Sequence, residues 1–234
     1  VIAGVGPGLG AALVKKLASE GCTVAMLARS QESLDAVSSS LPAGSDIHGI
    51  STDIANPGSV KSAFQKVASE LGRVDILVNH ASSASWKGIP QTSPAEFEAA
   101  WRVTALGSFL CSQAVIPGMI EAGSGAIVFT GATSSIRGRQ GSVPFSSAKF
   151  ASRGLADAMA RELWPQGIHV SHVIIDGLID TPAARERFQP DDMAESYWHL
   201  IEQKRVRAGF ATEQRGVFRV AGLGSLGLVP EPVG

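Results

Sequence analysis

AGVGPGLG, residues 3–10, carries four glycines, of which Gly4, Gly8 and Gly10 join a short apolar run to an amphipathic one. A chain that turns this tightly from strand to helix needs residues without Cβ clashes. Such a turn also lets backbone N–H groups approach a pyrophosphate at the positive end of the following helix. An ordinary strand-to-helix turn uses glycine too, so these eight residues alone leave both readings open. The pattern after Gly8 is plain. Leu9, Ala12, Leu13, Lys16 and Leu17 recur at helical spacing and predict a helix over Leu9–Ser19.

Outward from that turn, short β-branched runs alternate with longer amphipathic ones. Strands are expected at Val1–Ala3, Thr23–Ala28, Ile47–Ser51, Val74–Val78, Ala126–Thr130 and Ile168–Ile175. Helices are expected at Gln31–Ser39, Pro57–Leu71, Pro94–Ile120, Ser142–Trp164 and Asp191–Gln203, with Pro117 bending or ending the long one. A β-α-β-α order implies a parallel sheet covered by helices on both faces, a single-domain doubly wound α/β fold. The tail from Lys204 is rich in Arg, Gly and Val and offers one candidate strand, Val217–Val220.

The bulk properties bound the function. A chain of 234 residues with 44% hydrophobic side chains builds a sizeable core without disulfide or metal staples. A net charge of −1 advertises neither nucleic acid nor an anionic membrane. Cys22 and Cys111 stand far apart, which argues for a reducing compartment and a cytoplasmic location. No apolar run is expected to reach the roughly 18 residues of a membrane span. His169 and His172 are spaced as H-x-x-H, but i and i+3 on a strand face opposite sides, so no metal site is expected.

Two further stretches bear on chemistry. ARS, Ala28–Ser30, ends the second strand. In dinucleotide folds this place meets the adenosine ribose, and an arginine suits the 2′-phosphate of NADP through charge-assisted bonds. Arg29 and Ser30 thus point to NADP rather than NAD, or else to a solvated strand end. GRVDILVNHAS, residues 72–82, is a strand ending in Asn79. Carboxyl ends of parallel strands are where ligands collect.

Taken together, these motifs make the chain resemble the short-chain dehydrogenase/reductase family. The resemblance rests on the glycine turn (Gly4, Gly8, Gly10), TDI at Thr52–Ile54, D-x-L-V-N-x-A from Asp75 to Ala81, the helix start with Lys149, and IIDGLIDT from Ile174 to Thr181. It covers residues 1 to about 181. It implies a Rossmann-like domain on a sheet of about seven strands, and a homodimer or homotetramer. The cofactor would lie along the glycine turn, including Leu9. Asp53 and Ile54 would border the adenine, Asn79 and Ala81 would line the cofactor, and Lys149 would bond the nicotinamide ribose. Gly177, Ile179 and Thr181 would flank the nicotinamide, with Asp176 where the family has proline.

The catalytic set departs from the family's pattern. The family uses Asn, Ser, Tyr and Lys. Here Thr104 stands for the Asn, Ala132 for the Ser, and Phe145, in FSSAK, for the Tyr; only Lys149 remains. Losing a general acid costs about 10²–10⁴ in rate. Losing an oxyanion donor costs about 10²–10³. Substitutes in reach are Thr133, Ser134 and Ser135, Ser146 and Ser147, His80, and Lys149 itself. Trp86 either lines a pocket or covers the core. The sole tyrosine, Tyr197, is read as packing or interface. Two functions fit these residues: an NADP-dependent oxidoreductase acting on a carbonyl, hydroxyl or imine-like small molecule with a rebuilt donor site, or a silent NADP-binding sensor or scaffold.

Overall fold

The computed structural model describes residues 1–83, 85–175, 189–203 and 217–220. Seven parallel strands form one sheet: β1 (Ile2–Ala3), β2 (Val24–Ala28), β3 (Ile47–Ser51), β4 (Ile76–Asn79), β5 (Gly125–Ala132), β6 (Ile168–Ile175) and β7 (Val217–Val220). Their order is β3-β2-β1-β4-β5-β6-β7. The order reverses between β1 and β4, so a crevice opens beyond their carboxyl ends, where doubly wound sheets bind ligands. The expected fold class is therefore observed.

Helices α1 (Leu9–Ser19), α2 (Gln31–Ser39), α3 (Pro57–Glu70), α4 (Pro94–Trp101), α5 (Gly107–Ala122), α6 (Val143–Leu163) and α7 (Pro190–Glu202) cover the sheet. Each face of the sheet has its own core. Val67, Cys111, Val115, Met119, Ile127, Phe129 and Met159 pack on one side. Leu13, Leu17, Met26, Leu34, Val128, Val173 and Tyr197 pack on the other. Each fully buried large apolar side chain contributes about 1.5–3 kcal/mol. Local chemistry sets the helix starts: the Asn56 amide oxygen accepts from Gly58 and Ser59 N–H ahead of Pro57. Ser93 and Glu96 form a reciprocal capping box on α4.

The expected long helix over 94–120 is divided. A π turn, Arg102–Leu106, joins α4 to α5 and widens the helix around the buried Thr104. Pro117 does not end α5, which runs on to Ala122 and stops at Gly123, φ +61°. Proline frees the carbonyl four residues earlier. That residue, Gln113, and Pro117 are both exposed, so the freed carbonyl is not trapped in the core. The continuous helical run Pro94–Ala122 is, against expectation, long and apolar enough to cross a membrane. Its charges, Glu96, Glu98 and Arg102 near the start and Glu121 at the end, leave residues 103–120 uncharged. In this fold Cys111, Val115 and Met119 spend that apolarity on the sheet.

Candidate active site

A cleft of about 1510 Å³ lies over the carboxyl ends of the central strands. A drug-sized ligand fills about 300–1,000 Å³, so there is room for two molecules side by side. Among the described residues, four cationic side chains line it, Arg29, Arg137, Arg139 and Lys149, against one carboxylate, Asp53. A chain of net charge −1 thus gathers positive charge at one opening.

The glycine turn forms the floor. Gly4 has φ +101°, and a Cβ there would meet Ala81 Cα at 2.4 Å. Only glycine lets β1 and β4 run out side by side here, with Ala81 N–H donating to Ala3 O at 2.8 Å. Gly4, Arg29, Ser30, Asp53, Ile54 and Ala81 all line the cleft. Ser30 also caps α2, its Oγ accepting from Ser33 N–H at 3.2 Å. Ile54 wedges against α5, where a Cβ on Gly107 would stand 2.8 Å from Ile54 Cδ1.

Other expected residues sit elsewhere. Leu9 is buried in the core, Gly10 packs on the Val5 backbone, and neither lines the cleft. Gly8 borders a smaller hollow between α1 and α7. Asn79 also stays out of the cleft: its amide nitrogen donates to Ser112 Oγ on α5 at 3.0 Å. Thr104 does not line it either, but its Oγ1 accepts from Ser83 N–H at 3.3 Å and holds the loop after β4. Gly177, Ile179, Thr181 and Asp176 lie outside the described residues.

At the other end stand Ala132, Thr133, Ser134, Phe145 and Lys149. Ala132 ends β5 with no hydroxyl. Ser134, two residues on, is buried at the cleft, and among the described residues its own hydroxyl has no partner. The Ser135 hydroxyl is committed to Ala132 N–H at 3.1 Å. Ser142 and Ser146 bond each other at 2.7 Å. Lys149 is 3% exposed, and its Nζ donates to the Thr130 carbonyl at 2.7 Å. Burial pulls its pKa from 10.5 down to about 8.

Thr130, which no motif singles out, joins two more groups. Its Oγ1 lies 3.0 Å from His80 Nδ1 and 2.8 Å from the Tyr197 hydroxyl. Tyr197 is fully buried, so it orients Thr130 from beneath the sheet and has no contact with solvent. Burial, then the Lys149 charge, pulls His80 down to about 4. His80 therefore stays neutral at physiological pH. His169 bonds Ser171 on one face of β6, while His172 lies against Gly131 on the other.

Trp86 lines the cleft rather than covering the core. Its ring centre is 4.9 Å from that of Phe145, at 44°. The Arg139 guanidinium lies 5.9 Å from the Trp86 ring centre. Neither Arg137 nor Arg139 stands out in the sequence, since a loop arginine carries no local signal until the fold brings it to a cleft.

Known proteins share this geometry. The short chain dehydrogenase family model matches residues 1–192, and the chain belongs to that family of oxidoreductases. It is 32% identical to the D-xylose 1-dehydrogenase of Caulobacter vibrioides over 197 residues, 83% of this chain and 77% of that one. A short-chain dehydrogenase from Rhodopseudomonas palustris superposes with a TM-score of 0.79 at 30% identity, over 94% of this chain and 96% of that one. A metagenomic short-chain oxidoreductase in complex with NADP superposes with a TM-score of 0.77 at 27% identity, over 87% and 90% of the two chains. A nicotinamide cofactor fits both the family and the cleft.

Proposed function

We propose that this protein is an NADP-dependent oxidoreductase acting on a small carbonyl, hydroxyl or imine-like compound, with Lys149 as the proton donor. One observation carries the reading. Lys149 is buried at the cleft with its pKa at about 8, and the neighbouring ring, Phe145, has no hydroxyl to stand between it and a substrate. A general acid works best with a pKa near the working pH.

Arg29 and Ser30 would hold the 2′-phosphate, Asp53 and Ile54 the adenine, and Gly4 and Ala81 the middle of the cofactor. When bound, the reduced nicotinamide supplies a hydride to the electrophilic carbon. Lys149 then gives a proton from Nζ to the oxygen or nitrogen that gains charge. The neutral amine left behind is the form that burial favours. The Thr130 carbonyl fixes one N–H and so aims the others. Ser134 supplies a hydroxyl donor in place of the one Ala132 lacks. Fixed donors of this kind are worth about 10²–10³ in rate.

The test is nicotinamide fluorescence of NADPH and NADH mixed with the protein, followed with a panel of ketones, aldehydes and imines. NADPH should bind at least about tenfold tighter than NADH, and Arg29→Ala should abolish the difference. The signal should then decay with one substrate class. Binding without decay on any of them would favour a silent binding protein, and no binding would remove the cofactor assignment.

The same reading includes a homo-oligomer. Phe97, Trp101 and Phe109 are each at least 40% exposed, as is Phe150 on α6, while Leu110 packs on the core. Exposed apolar groupings of this kind mark interaction surfaces. Sedimentation velocity should give a dimer or tetramer, and Trp101→Glu should dissociate it. A wild-type monomer at micromolar concentration would refute this assignment.

A further inference from the structure

The cleft has a second anion handle. Arg29 follows β2, whereas Arg137 and Arg139 follow β5, three strand positions away across β1 and β4. At about 4.8 Å per strand the two ends stand roughly 14 Å apart. One phosphate cannot bridge that gap, so the two ends serve different anions.

The second end is built rather than incidental. Val143 N–H donates to Lys87 O at 3.0 Å and pins the Trp86 loop to the start of α6. Arg139 N–H donates to Ser146 Oγ at 3.4 Å and ties the arginine loop to the same helix. Lys87 pairs with Glu96, which engages that carboxylate away from the arginines. Among the described residues, neither Arg137 nor Arg139 has a carboxylate partner. Trp86 is 56% exposed, a large ring standing free in a cleft, with Phe145 behind it.

A guanidinium stacked near an indole keeps its N–H edge available for a bidentate anion. With His80 neutral and Asp53 at the far end of the cleft, no lining side chain among the described residues repels an anion here. We propose that the substrate is a flat, aromatic or otherwise apolar carboxylate, its body against Trp86 and Phe145 and its carboxylate on Arg139, seconded by Arg137. This rests on the reading that the cofactor fills the Arg29 end, and it adds the substrate class.

Calorimetric titration of 4-formylbenzoate against 4-methylbenzaldehyde tests it, with and without saturating NADP. The carboxylate should bind at least about tenfold tighter than its neutral match, as a charge-assisted bond gives. Arg139→Gln should remove that preference, Trp86→Leu should weaken both ligands, and Arg29→Ala should leave the preference intact. Equal affinities in the wild type, or a preference that survives Arg139→Gln, would overturn the proposal. A preference removed by Arg29→Ala instead would also overturn it, because the carboxylate would then sit at the cofactor end. NADPH titration of each variant keeps the two readings separate. If NADPH never binds, the cofactor reading fails, while the cofactor-free comparison still decides this one.

Discussion

The ammonium nitrogen of Lys149 lies 5.6 Å from the centre of the Phe145 ring, one helical turn earlier on α6. A cation over an aromatic face is attracted to it, by about 0.5–2 kcal/mol. Phenylalanine thus keeps the shape of the site while leaving the ammonium as the nearest acid. Arginine in place of lysine would keep the charge but could not release a proton at working pH. Lys149→Arg and Lys149→Met should therefore both lose about 10²-fold or more in kcat, with NADPH affinity better kept by arginine. If Lys149→Arg retained more than a tenth of the activity, the ammonium would be acting only as a charge. Phe145→Tyr should raise kcat by restoring a hydroxyl beside the lysine.

The depressed pKa of Lys149 gives two pH signatures. Reduction needs the ammonium, so kcat should fall as pH rises through about 8, a fall missing from Phe145→Tyr if tyrosine takes over. Stability runs the other way. Between about 8 and 10.5 the unfolded lysine still holds its proton and the folded one has lost it. The unfolded state then binds more protons, so this residue makes stability rise with pH across that window. Cys111, pushed up to about 12 by burial, opposes it above about 9. The clean measurement is the difference between wild type and Lys149→Met in urea unfolding at pH 7.5 and 9. Parallel curves would mean that the folded lysine is not depressed.

Much of the fold is legible in the chain. Periodicity places the helices, because each buries one stripe against a sheet, and Gly4 announces a turn that the Ala81 contact requires. Asn79 is ambiguous in the sequence because a strand-end amide looks the same whether it meets a ligand or a helix, and here its amide nitrogen reaches Ser112, 33 residues away. Pro117 misleads because its cost depends on whether the carbonyl of Gln113 faces water, which is a tertiary fact. Thr130, Arg137 and Arg139 give no signal, since their roles come from long-range neighbours. Tyr197 looks like packing and does pack, but its hydroxyl also reaches Thr130, 67 positions earlier in the chain.

Gly131, next to Thr130 on β5, faces a separate liability. His172 is 2% exposed, and among the described residues neither ring nitrogen has a hydrogen-bond partner. Burial first, then the charges of Lys149 and Arg153, pulls its pKa from 6.5 to about 3. It stays neutral in the fold but protonates below 6.5 when unfolded, so stability falls as pH drops from about 6.5 toward 3. At pH 5 that amounts to about 2 kcal/mol. His80, held at about 4, adds to the loss over much of the same window. His172→Leu should flatten the acid limb and stabilise the protein at pH 5 more than at pH 7. Gly131 marks how tight the site is, since a Cβ there would meet His172 Cε1 at 2.2 Å and Val173 O at 2.7 Å. Gly131→Ala should cost about 1–3 kcal/mol. Adding His172→Ala should recover only part of that cost, because the Val173 carbonyl cannot move aside. Urea unfolding of the wild type and these three variants at pH 5 and 7 checks both points. An acid limb unchanged in His172→Leu would show that the unpartnered imidazole is not what makes the fold sensitive to acid.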